Sequence, residues 1–252
     1  MYHWTWFYLI PGIEDGHLIP TMLEAAHHST HVVPTAWFVV GMLTLFAFMA
    51  NRGLATARAK GGTLQYVPDD GLGARNLFEI YTEGMMNLIQ DVLGSRAATM
   101  RYLPLMGTLF IFILANNLLG VVPGFLPATS EISTNVALSL IIFIVFNIAG
   151  FQANGMGYIK HLFGPILAIA PLMFALELIG ILVRPVSLSL RLFGNMNGDH
   201  MVFGVFSDLV PLVLPAVFLG LGVFVSFIQA FVFTLLSVVY IALSVGHDDD
   251  HH

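Results

Sequence analysis

Residues 215 to 245 contain no Asp, Glu, Lys or Arg. A run of that length and apolarity has few structural options. In hydrocarbon every backbone N–H and C=O must be paired within the segment, which leaves the α-helix, and about 20 residues suffice to cross. Four other stretches are apolar over a similar or nearly similar length: Val32 to Ala50, Tyr102 to roughly Val122, Asn135 to roughly Phe151, and Pro165 to about Phe206, the last interrupted only by Glu177, Arg184, Arg191, Asp199 and His200. Only 10% of the 252 residues are charged, against about 25% in a soluble domain. The expected fold is therefore an all-α membrane protein with five transmembrane helices.

The last two stretches exceed what an upright helix needs. About 30 residues at 1.5 Å each make roughly 45 Å, against a hydrocarbon core of roughly 30 Å. They are expected to form a long, steeply tilted hairpin over 165–245, turning near Asp208 and Pro211, with Pro185 as a candidate bend. Residues 75–93 differ: Phe78, Tyr81, Met85, Leu88, Ile89 and Val92 share one helical face, and Glu79, Glu83, Asn87 and Gln90 another. This is an interfacial amphipathic helix at the membrane surface, a surface helix packed on its own protein being the plainer reading.

Basic residues orient the chain. Arg52, Arg58, Lys60, Arg75, Arg96 and Arg101 lie between the first and second spans and Lys160 between the third and fourth, while the opposite loops contain none. The positive-inside rule then makes 1–31 an extracytoplasmic segment, 32–50 the first span, 51–101 a cytoplasmic loop and 102–151 a transmembrane hairpin. The polar tail 246–252 ends up in the cytoplasm. Residues 1–31 hold no Lys or Arg and resemble neither a secretory signal nor a transit peptide. The chain is expected to begin as written and to sit in a bacterial inner (plasma) membrane, an organelle-encoded chain being the alternative. A net charge of −6 argues against a nucleic-acid partner, and the absence of cysteine excludes disulfides and thiolate metal sites. His27, His28, His31 and the tail histidines read as solvated polar segments rather than metal ligands. No phosphate loop, nucleophile elbow, HExxH or hydrolase-like carboxylate pair is present.

Two basic residues fall inside a span, Arg184 and Arg191. Arg184 is close enough to the cytoplasmic end to snorkel. Arg191 lies about 10 Å deeper, cannot lose its proton, and costs about 3 kcal/mol or more to bury. It shares a helical face with the small or polar residues Ser187, Gly194, Asn195 and Gly198, where another helix can approach closely. Asp199 and His200 lie on other sides of the helix toward its outer end, and Glu177 lies two heptads before Arg191. Reflecting the hairpin about residue 210 places Gln229 opposite Arg191. Ser226, Thr234, Ser237 and Tyr240 add a sparse polar line to the fifth helix. A fixed cation flanked by groups that titrate suits ion translocation, with Arg191 favouring the ionised form of a carboxylate brought to it. No such carboxylate is evident in this chain, so the partner is expected on another protein. Glu131, in the outer loop "PATSEIST", could line an entrance. A secondary transporter holding an anionic substrate at Arg191 is the first alternative, although such folds show repeated halves that are missing here. A structural membrane anchor is the second, and leaves the cost of Arg191 unexplained.

"RPVSLSLRLFGNMNGDH" and "FIQAFVFTLLSVVYIALS" resemble the two signature segments of the F-type ATP synthase a subunit family, with likeness over roughly residues 75 to 245. The resemblance implies a non-catalytic proton-channel subunit of the stator. It would face a rotating ring of c subunits that supplies the titrating carboxylate, beside a b-subunit peripheral stalk and other ATP synthase subunits. No cofactor is implied. By motif, Arg191 matches the family's essential arginine, Asn195 the polar residue one turn on, Gln229 the glutamine opposite, and Glu177 an acidic residue before the motif. His200 stands where members carry Glu or His. Gly222 departs from the family, since some members have His or Glu there, and Asp199 or Glu131 is expected to supply the missing group.

Overall fold

The computed structural model describes residues 32–60, 73–122, 125–158, 170–209 and 213–246. They form six helices: α1 (Val32–Lys60), α2 (Ala74–Leu93), α3 (Arg96–Val121), α4 (Ile132–Asn154), α5 (Ala170–Leu209) and α6 (Val213–Val245), with a 3-10 turn at Ala128–Ser130. All but α2 contain a stretch long and apolar enough to cross a membrane, and no strand occurs among the described residues. The fold is the expected all-α membrane protein. Helix α1 continues past Ala50 to Lys60, and α5 runs unbroken through Pro185. The histidines at 27, 28 and 31 and those of the tail lie outside the described residues.

Helix α6 is the centre of the bundle, packing on α2, α3, α4 and α5. Its buried Ala230, Phe233, Val238 and Ile241 meet Ile113 of α3, Phe146 of α4 and Leu188 and Leu192 of α5 in one core. Polar groups on these helices close onto their own backbone, as hydrocarbon demands. Thr108 donates to Pro104 O (2.7 Å) and Ser237 to Phe233 O (2.7 Å). Ser237, part of the polar line expected along this helix, is thus satisfied locally, whereas the buried Thr234 Oγ1 has no partner.

Two ends can be told apart. At the basic end, Arg101 of α3 donates to Gln152 of α4, and Asn154 to Ser244 O of α6 (3.2 Å). At the far end, Thr35 of α1 donates to Leu126 O (3.1 Å) and Asn197 of α5 to Ser130 O (3.0 Å).

Helix α2 lies at the basic end against α1, α3 and α6. Met85 and Ile89 are buried, Tyr81, Leu88 and Val92 pack beside them, and the Tyr81 hydroxyl donates to Gly107 O. Burial holds that hydroxyl neutral by pushing its pKa well up. Most of the apolar face expected against the membrane surface is therefore covered by the protein itself, and Phe78, Leu77 and Ile80 remain exposed beside it. Gly94 ends the helix at φ 66 with its N–H on Gln90 O (2.8 Å), a left-handed cap that favours glycine.

Helices α5 and α6 run antiparallel in a definite register. Phe206 meets Phe218, Asn195 meets Gln229, and Arg184 meets Tyr240, each pair centred near residue 212 rather than 210. The expected pairing of Gln229 with Arg191 is corrected accordingly: Gln229 faces Asn195, one helical turn away. Both helices are apolar on nearly every side, so hydrophobic pattern alone does not define how they slide past each other.

Close approach at the far end depends on Gly120 of α3. A Cβ there would fall well inside contact with Met196 Cε and lie 2.9 Å from Pro127 Cγ. Gly120→Ala should lower stability by about 1–3 kcal/mol through overpacking, seen as a lower Tm of the purified complex. Met196→Ala in the same chain should recover part of that loss. Simple addition of the two losses would contradict the contact.

Candidate functional site

Helix α5 has a packed side and an open side. Leu188, Leu192 and Met196 are buried against the bundle. Arg191 and Ser187 are half-buried, while Gly194 and Asn195 are exposed. A Cβ built on Gly180, Gly194 or Gly198 would meet nothing within 4 Å. These glycines share the Arg191 face, so their smallness serves no contact among the described residues. The Arg191 guanidinium itself has no hydrogen bond or ion pair among the described residues, where the one ion pair is Arg75–Glu79.

One turn beyond, Asn195 Nδ2 donates to Gln229 Oε1 at 2.5 Å. Gln229 is 3% exposed, and its Nε2 finds no acceptor. An amide pair therefore flanks the open face beside Arg191, and it leaves one buried donor free.

At the far end a buried asparagine cluster joins three helices. Thr129 Oγ1 donates to Asn117 Oδ1 (2.8 Å), and Asn135 Nδ2 to Thr129 O (2.9 Å). Asn197 ties α5 to it through Ser130 O, while Asn116 Oδ1 and Asn135 Oδ1 stay buried without donors. Glu131 sits at the N-cap of α4 within this group. Asn197 lies two residues before Asp199, so the cluster brings Glu131 and the Asp199 region of α5 to one end of the bundle. Asp199 is half-buried, and His200 continues α5 with its side chain outside the described residues. Gly222 packs near Val121, where an added Cβ would make ordinary contact at 3.4 Å.

Glu177 is half-buried toward the basic end, far from that cluster. Between it and Arg191 lies Arg184, its guanidinium 5.5 Å from the Phe146 ring and 5.4 Å from the Tyr240 ring. It rests against aromatic rings of α4 and α6 instead of simply snorkelling outward. Sequence reasoning missed Asn116, Asn117, Thr129, Asn135 and Asn197, although the Asn-Asn pair inside an apolar run is a readable signal. It also missed Tyr158 and Asn147, for which only tertiary contact provides one.

These features define a polytopic membrane protein whose half-buried cation lies on a face that the described residues leave open. The family described as ATP synthase A chain matches residues 32–242. Among curated relatives, ATP synthase subunit a 3 of Pelobacter propionicus is 42% identical over 87% of this chain and 89% of its own length. ATP synthase subunit a of Bdellovibrio bacteriovorus is 39% identical over 97% and 98%, and that of Geotalea uraniireducens 40% identical over 90% and 94%. The chain belongs to the ATP synthase A chain family. This membership displaces the transporter and anchor alternatives.

The Asn195–Gln229 bond makes a prediction independent of activity. Asn195→Ala and Gln229→Ala should each destabilise by about 1–3 kcal/mol, and the double variant by clearly less than their sum. Thermal unfolding of the purified complex measures this, and strict additivity would show that the two amides do not interact.

Proposed function

We propose that this chain is the proton-translocating stator subunit of a bacterial ATP synthase, supplying two half-channels and one essential arginine against a rotating c-ring. The observation that carries this reading is Arg191 on an open, glycine-lined face with no acceptor among the described residues. A permanent charge inside an apolar helix needs a counter-charge or a polar lining. A ring carboxylate passing that face meets the need once per step. Near the cation its ionised form is favoured, so it gives up its proton there and takes another after moving on. The chain hydrolyses no nucleotide itself.

In this reading the basic end is cytoplasmic, because seven of nine Lys and Arg residues lie in the connections on that side. The amino terminus is then outside and the carboxyl terminus inside. Protons arrive at the far end through Glu131, Asp199 and His200, with the buried asparagines supplying the polar lining that Gly222 does not. They leave at the basic end past Glu177. The Asn195–Gln229 pair keeps an amide beside Arg191 while leaving the guanidinium itself free for the ring. Helices α5 and α6 lie tilted along the ring, and the b-subunit stalk holds the bundle against its torque.

Two variants test the charge. In Arg191→Ala, proton-driven synthesis and ATP-driven pumping should both vanish, while passive proton leak through the membrane sector persists or rises. Arg191→Lys keeps a cation but loses the planar fork, and should also fail to couple. Normal pumping by the alanine variant would overturn the proposal, and full synthesis by the lysine variant would reduce the role to charge alone.

The outer path is tested separately. Asp199→Ala combined with His200→Ala should slow synthesis strongly at normal complex abundance, with milder single variants because neighbouring groups share a relay. Unchanged rates in the double variant would shift the entrance to Glu131 and the asparagine cluster.

A further inference from the structure

Glu177, Arg184 and Arg191 recur at seven-residue intervals on α5. Seven residues return the helix to nearly the same face about 10 Å further along. A second fixed cation therefore stands midway between Arg191 and Glu177, its guanidinium against Phe146 and Tyr240, whose rings are 6.2 Å apart. An excess proton passing from the Arg191 level toward the basic end has to go around that charge.

The connection after α4 brings a hydroxyl to this place. Gly155, at φ 52, ends α4 with its N–H on Phe151 O (2.8 Å), and the chain turns back so that Tyr158 lies along the helix it has just left. The Tyr158 ring fills the space over Gly150, where a Cβ would come within 2.6 Å of Tyr158 Cε2. Its hydroxyl donates to Asn147 Oδ1 at 3.1 Å. Asn147 in turn is anchored by Nδ2 donating to Phe143 O at 2.7 Å, which presents its oxygen to the tyrosine. With the hydroxyl proton committed to Asn147, the free lone pairs of Tyr158 remain as an acceptor. Burial pushes the Tyr158 pKa up, Arg184 pulls it down and Glu177 pushes it up again. The hydroxyl thus lies within the fields of both charged residues and stays neutral at physiological pH.

We propose that Tyr158 is a positioning residue of the basic-end half-path: with Arg184 against its rings, it shapes the polar gap through which Glu177 exchanges protons with the basic-end solution. This rests on the reading that the chain conducts protons, and it adds two groups to that reading. Arg184 closes the direct line along α5, and Tyr158 with Asn147 holds open the detour beside it. The ionisable groups around Tyr158 are Glu177 and Arg184 from α5, whose charges act on it, and Tyr240 from α6, which Arg184 touches; α4 contributes none, having no ionisable residue between Ile132 and Asn154. Lys160 and His161 follow in sequence but lie outside the described residues.

The test uses the whole synthase in sealed vesicles, with pH varied on one face while the other is held constant. Tyr158→Phe keeps the ring over Gly150 and removes only the hydroxyl. It should slow synthesis about fivefold, the rate equivalent of one hydrogen bond, at unchanged complex abundance. The profile against basic-face pH should change shape, while the profile against far-face pH is only scaled. Arg184→Gln should do the same, and Arg184→Lys, which keeps a cation beside the rings, should restore much of the rate. Should Arg184→Gln fail to assemble, Tyr158→Phe decides alone. Equal scaling of both profiles, or wild-type rates in Tyr158→Phe, would overturn the inference. Arg191→Ala run beside it separates the two levels: if that variant pumps normally, the proton-channel reading fails, and if it is inactive while Tyr158→Phe is unaffected, only this inference fails.

Discussion

A guanidinium that cannot deprotonate, set in the middle of an apolar helix, is the constraint around which this bundle is arranged. Placing it there costs about 3 kcal/mol on insertion scales and more for an isolated helix. No anion among the described residues offsets this, since Arg191 has no carboxylate partner there. What surrounds it is an amide pair, Asn195 with Gln229, and a surface of glycines with open space above them. The apolar packing of α5 runs along the flank beside it, through Leu188, Leu192 and Met196. A charge kept available on an uncovered face fits an acceptor that comes and goes better than it fits a permanent internal contact.

The rest of the bundle serves to make the two ends of α5 different. At the far end, asparagines of α3, α4 and α5 close around Thr129 and Ser130, with the buried Asn135 Oδ1 left without a donor. Such a cluster is a polar place inside an apolar body, and its unfilled acceptor can receive a hydrogen bond from water. At the basic end the polar groups are fewer and charged: Glu177, Arg184 against its rings, and Tyr158 on Asn147. Between the two ends α5 presents only the small, open face around Arg191. A proton could reach either end along polar groups, but none of the described side chains carries it past the cation.

Much of this was legible in the chain itself. The five apolar runs became the helices α1, α3, α4, α5 and α6 because backbone pairing in hydrocarbon leaves no other option, and α2 announced itself by the spacing of Tyr81, Met85 and Ile89. Arg191 stood out through its cost, and the face it shares with Gly194, Asn195 and Gly198 followed from helical geometry. Register was not legible. Two helices that are apolar all round slide against each other with little penalty in pattern, so the Gln229 contact was misplaced by one turn. The asparagine cluster was hidden because its members come from separate stretches of chain, and near helix ends polar residues look like ordinary flanks. Tyr158 was hidden for another reason: its place over Gly150 exists only once the connection after α4 has folded back.

Cross-linking tests the central claim that the Arg191 face is the one a carboxylate-bearing ring helix covers. The chain has no cysteine, so single cysteines report without background. Gly194→Cys lies on that face, and Leu182→Cys, 49% exposed, lies about half a helical turn away from it. Each would be paired with cysteines placed along the ring subunit around its carboxylate, in the assembled synthase under oxidising conditions. The account predicts disulfides from Gly194→Cys to positions within one turn of that carboxylate, and none from Leu182→Cys. Cross-links formed by Leu182→Cys but not by Gly194→Cys would place the ring on the wrong side of α5 and contradict it.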